Sequence, residues 1–168
     1  MPDHAIIEHL RQAVGPEKIL TSLEDRIAYS YDGTFEQDLP DVAVLPESNE
    51  DVAAVVRIAG EHQVAVVPRG MASGLAAASV PFGGGIVLSL TRMNRILEID
   101  EENHTAWVEA GVITADLEAA VEELGLFYPP DPSSNEQSTI GGNIACNAGG
   151  PRCLKYGVTG DYVMGLTV

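Results

Sequence analysis

Apolar residues recur along this chain in two rhythms, one of three and four positions and one of short unbroken runs. Ile6, Ile7, Leu10 and Val14 follow the first, predicting an amphipathic helix capped by Asp3 and stopped at Gly15-Pro16. SLEDRIAYSYDG (22–33) reads as a second, shorter helix, opened by Ser22 three positions before Asp25. DVAVLP (41–46) follows the other rhythm and predicts a strand closed by proline. Ser48 and Asp51 then open NEDVAAVVRIAGEH, whose Val52, Val55, Val56 and Ala59 share a helical face. VAVVP (64–68) is a second β-branched strand. Strand, helix, strand in this order predicts a parallel pair joined by a right-handed crossover.

Beyond it the rhythm breaks. RGMASGLAAASVPFGGG (69–85) is a long run of small residues with no period. IVLSL (86–90), RILEID (95–100) and TAWVEAG (105–111) read as strands, with EIDEEN (98–103) capping the hairpin between the last two. Thr114 is expected to cap a helix that carries Leu117, Val121 and Leu124 and ends at Gly125. Residues 126–160 read as irregular, and VMGLTV at the end as a strand just begun. These elements predict an α/β (α+β) fold, with a small parallel-plus-antiparallel sheet flanked by helices.

Composition narrows the classes of function. The 168 residues are 45% hydrophobic, enough for a globular core, and only 5% aromatic, which suits layers of aliphatic side chains. A net charge of −16 repels nucleic-acid phosphates and anionic lipid, so neither is an expected partner. No apolar stretch reaches the ~20 residues of a membrane span, and the charged N-terminus lacks a signal-peptide core. The expected compartment is the cytoplasm. Cys146 and Cys153 fit neither a disulfide framework nor a zinc spacing, so both are expected reduced, one of them buried. His4, His9, His62 and His104 are scattered, and no metal set is expected.

The 17 glycines exceed the usual share of roughly 7% and gather at 70–74, 83–85 and 141–160. Such residues let backbone N–H groups approach an anionic ligand as a concave nest. Residues 69–78 and 139–150 are therefore candidate walls of a phosphate site; surface loops with tight turns are the alternative. Neither G-x-G-x-x-G nor G-x-x-x-x-G-K-[ST] occurs, which argues against the common NAD fold and P-loop chemistry. There is no G-x-S-x-G elbow, and Cys146 has no identifiable base. The residues offer a place to hold a ligand and no catalytic side chain.

PESNEDVAAVV, VVPRGMASGLAAASVP, GGIVLSLTRMNRILEID, VEAGV and PPDPSSNEQSTIGGNIACNAGGPRCLKYG occur here in order. Together they resemble the N-terminal part of FAD-linked oxidases of the vanillyl-alcohol oxidase-like superfamily, with a PCMH-type FAD-binding domain. The likeness extends to the flavin subunit of bacterial glycolate oxidase and to D-lactate dehydrogenases of that type. The resemblance implies FAD, with a first loop around its pyrophosphate supplied by Arg69, Gly70, Ala72, Ser73, Gly74 and Leu75. The second segment would contribute Pro130, Asp131, Ser134, Thr139, Gly141, Gly142, Asn143, Ala145 and Gly149. Asn143 and Asn147 are open to either ligand contact or turn-locking. Related oxidases attach flavin through histidine, cysteine or tyrosine; no histidine lies in either segment, so the FAD is expected to be non-covalent, with Cys146 the alternative point of attachment.

Ala72, Ala77 and Ala78 depart from the family pattern, which has glycine there. A positive φ at any of them would cost alanine about 1–2 kcal/mol. The chain is also much shorter than the family's members. The resemblance therefore implies a helical segment at 1–40 and an incomplete FAD-binding domain at 41–168, its remainder and the substrate domain absent. The implied activity is that of a flavoprotein oxidoreductase passing a hydride from a 2-hydroxy acid, of the glycolate or D-lactate type, to FAD. Substrate-handling residues are expected outside this chain, which alone is expected to be inactive. The alternatives are a non-catalytic flavin- or nucleotide-binding module within a complex, or a remnant without cofactor. An uncovered edge would favour self-association or partner subunits.

Overall fold

A computed structural model describes residues 4–167. They fall into two compact units that divide between Met93 and Asn94. Asp3, expected to cap the first helix, lies outside the described residues.

The first unit opens with α1 (His4–Val14), which buries Ile6, Ile7, Leu10 and Val14 as the spacing predicts. β1 (Ile19–Leu20) and α2 (Leu23–Ala28) follow, the latter capped by the Ser22 hydroxyl, which accepts from the Asp25 amide. β2 (Val42–Val44) leads to α3 (Asn49–His62), where the Ser48 hydroxyl accepts from the Asp51 amide. β3 (Val66–Arg69) and β4 (Ile86–Ser89) complete a four-stranded sheet in the order β1-β2-β4-β3. β2 and β3 both run parallel to β4, and β1 is an antiparallel edge. The expected parallel pair is thus split, because β4 inserts between its members. VAV and IVLS are buried at every position, the unbroken apolar pattern of central parallel strands.

One core joins α1, α3 and the sheet through Leu10, Val14, Val42, Val44, Val55 and Ile86, among others. On α3 the buried face is Val55, Ile58 and Ala59; Val56 is exposed, contrary to the expected face. The glycines at 83–85 serve the fold. Gly85 has φ +93°, and a Cβ there would stand 2.6 Å from the Ala65 carbonyl oxygen.

The second unit is built on the antiparallel hairpin of β5 (Ile96–Asp100) and β6 (Thr105–Val108). Its turn is locked by the Asp100 carboxylate, which accepts from the amides of Glu102 and Asn103. α4 (Thr114–Glu122) packs Leu117 and Val121 with Val112 and Ile140, against Ile96, Ile99 and Val108 of the hairpin. Leu124, expected on this face, is exposed and lies past the helix. Residues 126–160 are more ordered than their composition predicts, since α5 (Ile140–Cys146) and α6 (Cys153–Tyr156) form there. Residues 163–167 form no strand. Cys146 and Cys153 are both free and exposed, so the expected burial of one is overturned.

Candidate functional site

The two glycine-rich segments turn out to be physically unlike. In the first unit, β3 delivers Arg69 to the mouth of the loop. Its Nη1 donates to the Tyr31 carbonyl, and its guanidinium lies 5.5 Å from the centre of the Tyr29 ring. Burial pulls the Arg69 guanidinium below its ordinary value, partly opposed by Tyr29, Tyr31 and Asp32. It nevertheless remains a cation at any physiological pH. Tyr29, Gly70, Met71, Ser89 and Thr91 line a shallow concavity with it.

Beyond Arg69 the loop is an open backbone. Among the described residues, no amide from Met71 to Ser79 donates to another protein group. Gly74 has nothing within 4 Å of where a Cβ would stand, so packing does not require glycine there. Such unspent donors suit an anionic ligand such as a diphosphate. Ala72 and Ala77 hold φ +56° and +54°, each a strain of about 1–2 kcal/mol for a residue with a Cβ. Ala78 is not among the positive-φ residues.

The second segment spends its donors on the fold. Thr139 is the N-cap of α5, its hydroxyl accepting from the Gly142 amide at 3.2 Å. The Ile140 and Gly141 amides donate to the carbonyls of Val112 and Ala110, each at 2.8 Å, and the Asn143 amide to Thr139. Gly141 is glycine for packing: a Cβ would stand 2.7 Å from the Ala110 Cβ. Asn143 is buried and its amide nitrogen donates to the Thr114 hydroxyl at 2.7 Å. Asn147 takes the left-handed C-cap, φ +49°, and its Oδ1 accepts from the Gly160 amide. Thr114, expected as a cap, is instead the first helical residue and a buried node that joins Ser138 and Asn143.

The other second-segment residues occupy varied settings. Pro130 is buried, Asp131 and Ser134 half-buried, Ala145 exposed on α5 and Gly149 packed near Cys153. Asp131 pairs with Arg152 (3.3 Å), and Asn135 donates to both Asp131 and Glu118. Glu118 belongs to this cluster although sequence reading missed it, because only the fold brings α4 to residues 131–135. Its Oε1 is buried without a hydrogen-bond partner. Burial foremost, then the Asp131 charge, raise its carboxyl above the ordinary range, against the Asn135 hydrogen bond.

Asp32 is a second missed residue. It is buried, and its Oδ1 accepts from the Thr34 amide and hydroxyl while Oδ2 has no partner. The histidines are less scattered than expected: His9 Nδ1 lies 2.9 Å from His62 Nε2 across α1 and α3. Among the described residues no group of three or more His, Cys, Asp or Glu side chains is placed to hold a metal ion. No helix among them is long and apolar enough to cross a membrane.

A small mixed sheet flanked by helices, with a loop of free amides leaving the edge strand β3 beside an arginine, suits a binder of phosphorylated cofactors. More particularly, a family model described as an FAD binding domain matches residues 40–168, and the chain belongs to that family. FAD is therefore the cofactor of this domain. The chain is 52% identical over 162 residues to the glycolate oxidase subunit GlcD of Bacillus subtilis (strain 168), covering 96% of this chain and 34% of that protein. It is 44% identical to a D-2-hydroxyglutarate dehydrogenase of Stutzerimonas stutzeri (strain A1501), covering 100% of this chain and 36% of that protein. The solved structure of an alkyldihydroxyacetonephosphate synthase superposes with a TM-score of 0.89 at 25% identity, covering 98% of this chain and 32% of that one. The chain thus spans about a third of the length of the curated relatives it matches.

Proposed function

We propose that this chain is the FAD-holding portion of a flavoprotein oxidoreductase that acts on a small 2-hydroxy acid of the glycolate or D-lactate type. The observation that carries the cofactor part is the run of unspent amides from Met71 to Ser79 beside Arg69. Relatives named for glycolate and D-2-hydroxyglutarate support the substrate class. When bound, FAD supplies the two-electron acceptor for oxidation at the hydroxyl-bearing carbon.

The chain's own contribution is binding. Arg69, Gly70, Ala72, Ser73, Gly74 and Leu75 present a cation and backbone donors to the diphosphate. Pro130, Asp131, Ser134, Thr139, Gly141, Gly142, Asn143, Ala145 and Gly149 are proposed to shape the second contact surface, chiefly through a rigid backbone. FAD is held without a covalent bond, since no histidine lies in either segment. Residues 41–168 form the FAD-binding part and 1–40 a helical lead-in. The setting is cytoplasmic. Exposed Leu154, Met164 and Leu166 support association with partner subunits or a second copy.

FAD titration of the purified chain, read by flavin fluorescence and thermal shift, tests this reading. The expected result is saturable binding that raises Tm and is fully released by acid denaturation. A folded chain that takes no FAD would sink it. Binding without dye reduction by glycolate or D-lactate would favour a non-catalytic flavin-binding module.

A further inference from the structure

The open loop poses a mechanical question. Its amides from Met71 to Ser79 make no internal hydrogen bonds, and Ala72 and Ala77 sit in the left-handed region. Apart from the turn closed by the Val80 amide on the Ala77 carbonyl, the segment has no bonds of its own, and such a strained stretch persists only where its surroundings over-determine it. The supporting contacts come from the hairpin of residues 30–38, which precedes the start of the family match at residue 40.

That hairpin is rigid by its own bonding. Tyr31 and Gln37 form an antiparallel bridge, and the Asp38 amide donates to the Ser30 carbonyl at 3.0 Å. The buried Ser30 hydroxyl donates to Ile27 and accepts from Gln37, while Asp32 Oδ1 clamps the Thr34 amide (2.9 Å) and hydroxyl (2.7 Å). At its tip Gly33 lies flush against the loop. A Cβ there would stand 2.8 Å from the Gly74 carbonyl oxygen, 3.4 Å from that of Ser73 and 3.1 Å from Leu75 Cδ2. The same hairpin receives Arg69 through the Tyr31 carbonyl, and the Tyr29 ring just before it faces the guanidinium.

We propose that the 30–38 hairpin is the mould that fixes the conformation of the glycine-rich loop, with Gly33 as its contact point. It is thereby a positioning element for the FAD diphosphate, an inference that rests on the functional reading above. Gly33 is needed because it admits the Ser73–Leu75 backbone, and Asp32 because it holds the hairpin tip in shape. Neither residue need touch the ligand.

Backbone NMR of the chain separates the mould from the ligand. Gly33→Ala is expected to leave the amide signals of β2 and β4 in place while shifting and broadening those of residues 71–78. It should also weaken FAD at least tenfold. Should Gly33→Ala fail to fold, Asp32→Ala tests the same idea through the Thr34 clamp, with Asp32→Asn restoring most of the loop signals. Wild-type positions and relaxation for 71–78 in Gly33→Ala, or in Asp32→Ala where that variant stands in, would overturn the mould. A disturbed loop with unchanged FAD affinity would overturn the positioning role. A folded wild-type chain that takes no FAD would instead overturn the functional reading, with the loop signals still deciding whether the hairpin is a mould.

Discussion

Ala72 and Ala77 show what a residue identity can conceal. Sequence comparison with the family pattern marks three alanines as departures; the structure separates Ala72 and Ala77, at positive φ, from Ala78. Ala72→Gly and Ala77→Gly are each expected to stabilise the chain by up to about 1 kcal/mol. Relief of left-handed strain, about 1–2 kcal/mol, outweighs the ~0.4–1 kcal/mol gained in unfolded-chain entropy. Urea unfolding should show higher midpoints at unchanged slope. Glu118 makes the converse point, since a lone glutamate on an acidic helix carries no signal in sequence. Burial raises its carboxyl, so the folded chain holds that proton more firmly than the unfolded one. Stability from this group is therefore full at low pH and lost as pH rises through the raised value. Glu118→Gln should raise Tm at neutral pH and bring no gain below about pH 4, where both states are protonated. Thermal melts across that range check it.

Elements were legible where they carry their own periodicity or cap. α1 buries the face its apolar spacing predicts, α2 and α3 start where Ser22 and Ser48 place them, and the β5–β6 hairpin turns at the Asp100 cluster. α5 was not legible, because a seven-residue segment opening Ile-Gly-Gly has neither helical propensity nor an amphipathic period. The Thr139 cap and the fit of Gly141 against Ala110 hold it in place. Two glycines of the candidate segments should consequently behave in opposite ways. Gly141→Ala drives a methyl into Ala110 and is expected to cost about 1–3 kcal/mol. Gly74→Ala enters open space at ordinary φ and should leave stability within about 0.5 kcal/mol, yet weaken FAD by crowding the loop amides. Chemical denaturation beside FAD titration distinguishes the two. Equal effects of both variants on stability would remove the physical contrast between the segments.

For the whole molecule, the net charge of −16 repels a diphosphate at distances of about a Debye length, ~10 Å at 0.1 M salt. On the proposed reading, recognition comes from short-range donors, namely the 71–79 amides and the Arg69 guanidinium. What the sequence determined by itself was the inventory: the helical and strand periods, the caps, the two glycine-rich segments and the family pattern they spell. These are local properties, set by backbone preferences and by residues a few positions apart. Tertiary structure alone decided that β4 separates β2 from β3, and that Thr114 is a buried hydrogen-bond node. It also decided that one glycine-rich segment leaves its amides free while the other consumes them. Each depends on which distant backbone arrives opposite a given residue, as Ala110 does for Gly141 and Gly33 for Gly74, and no local spacing encodes that.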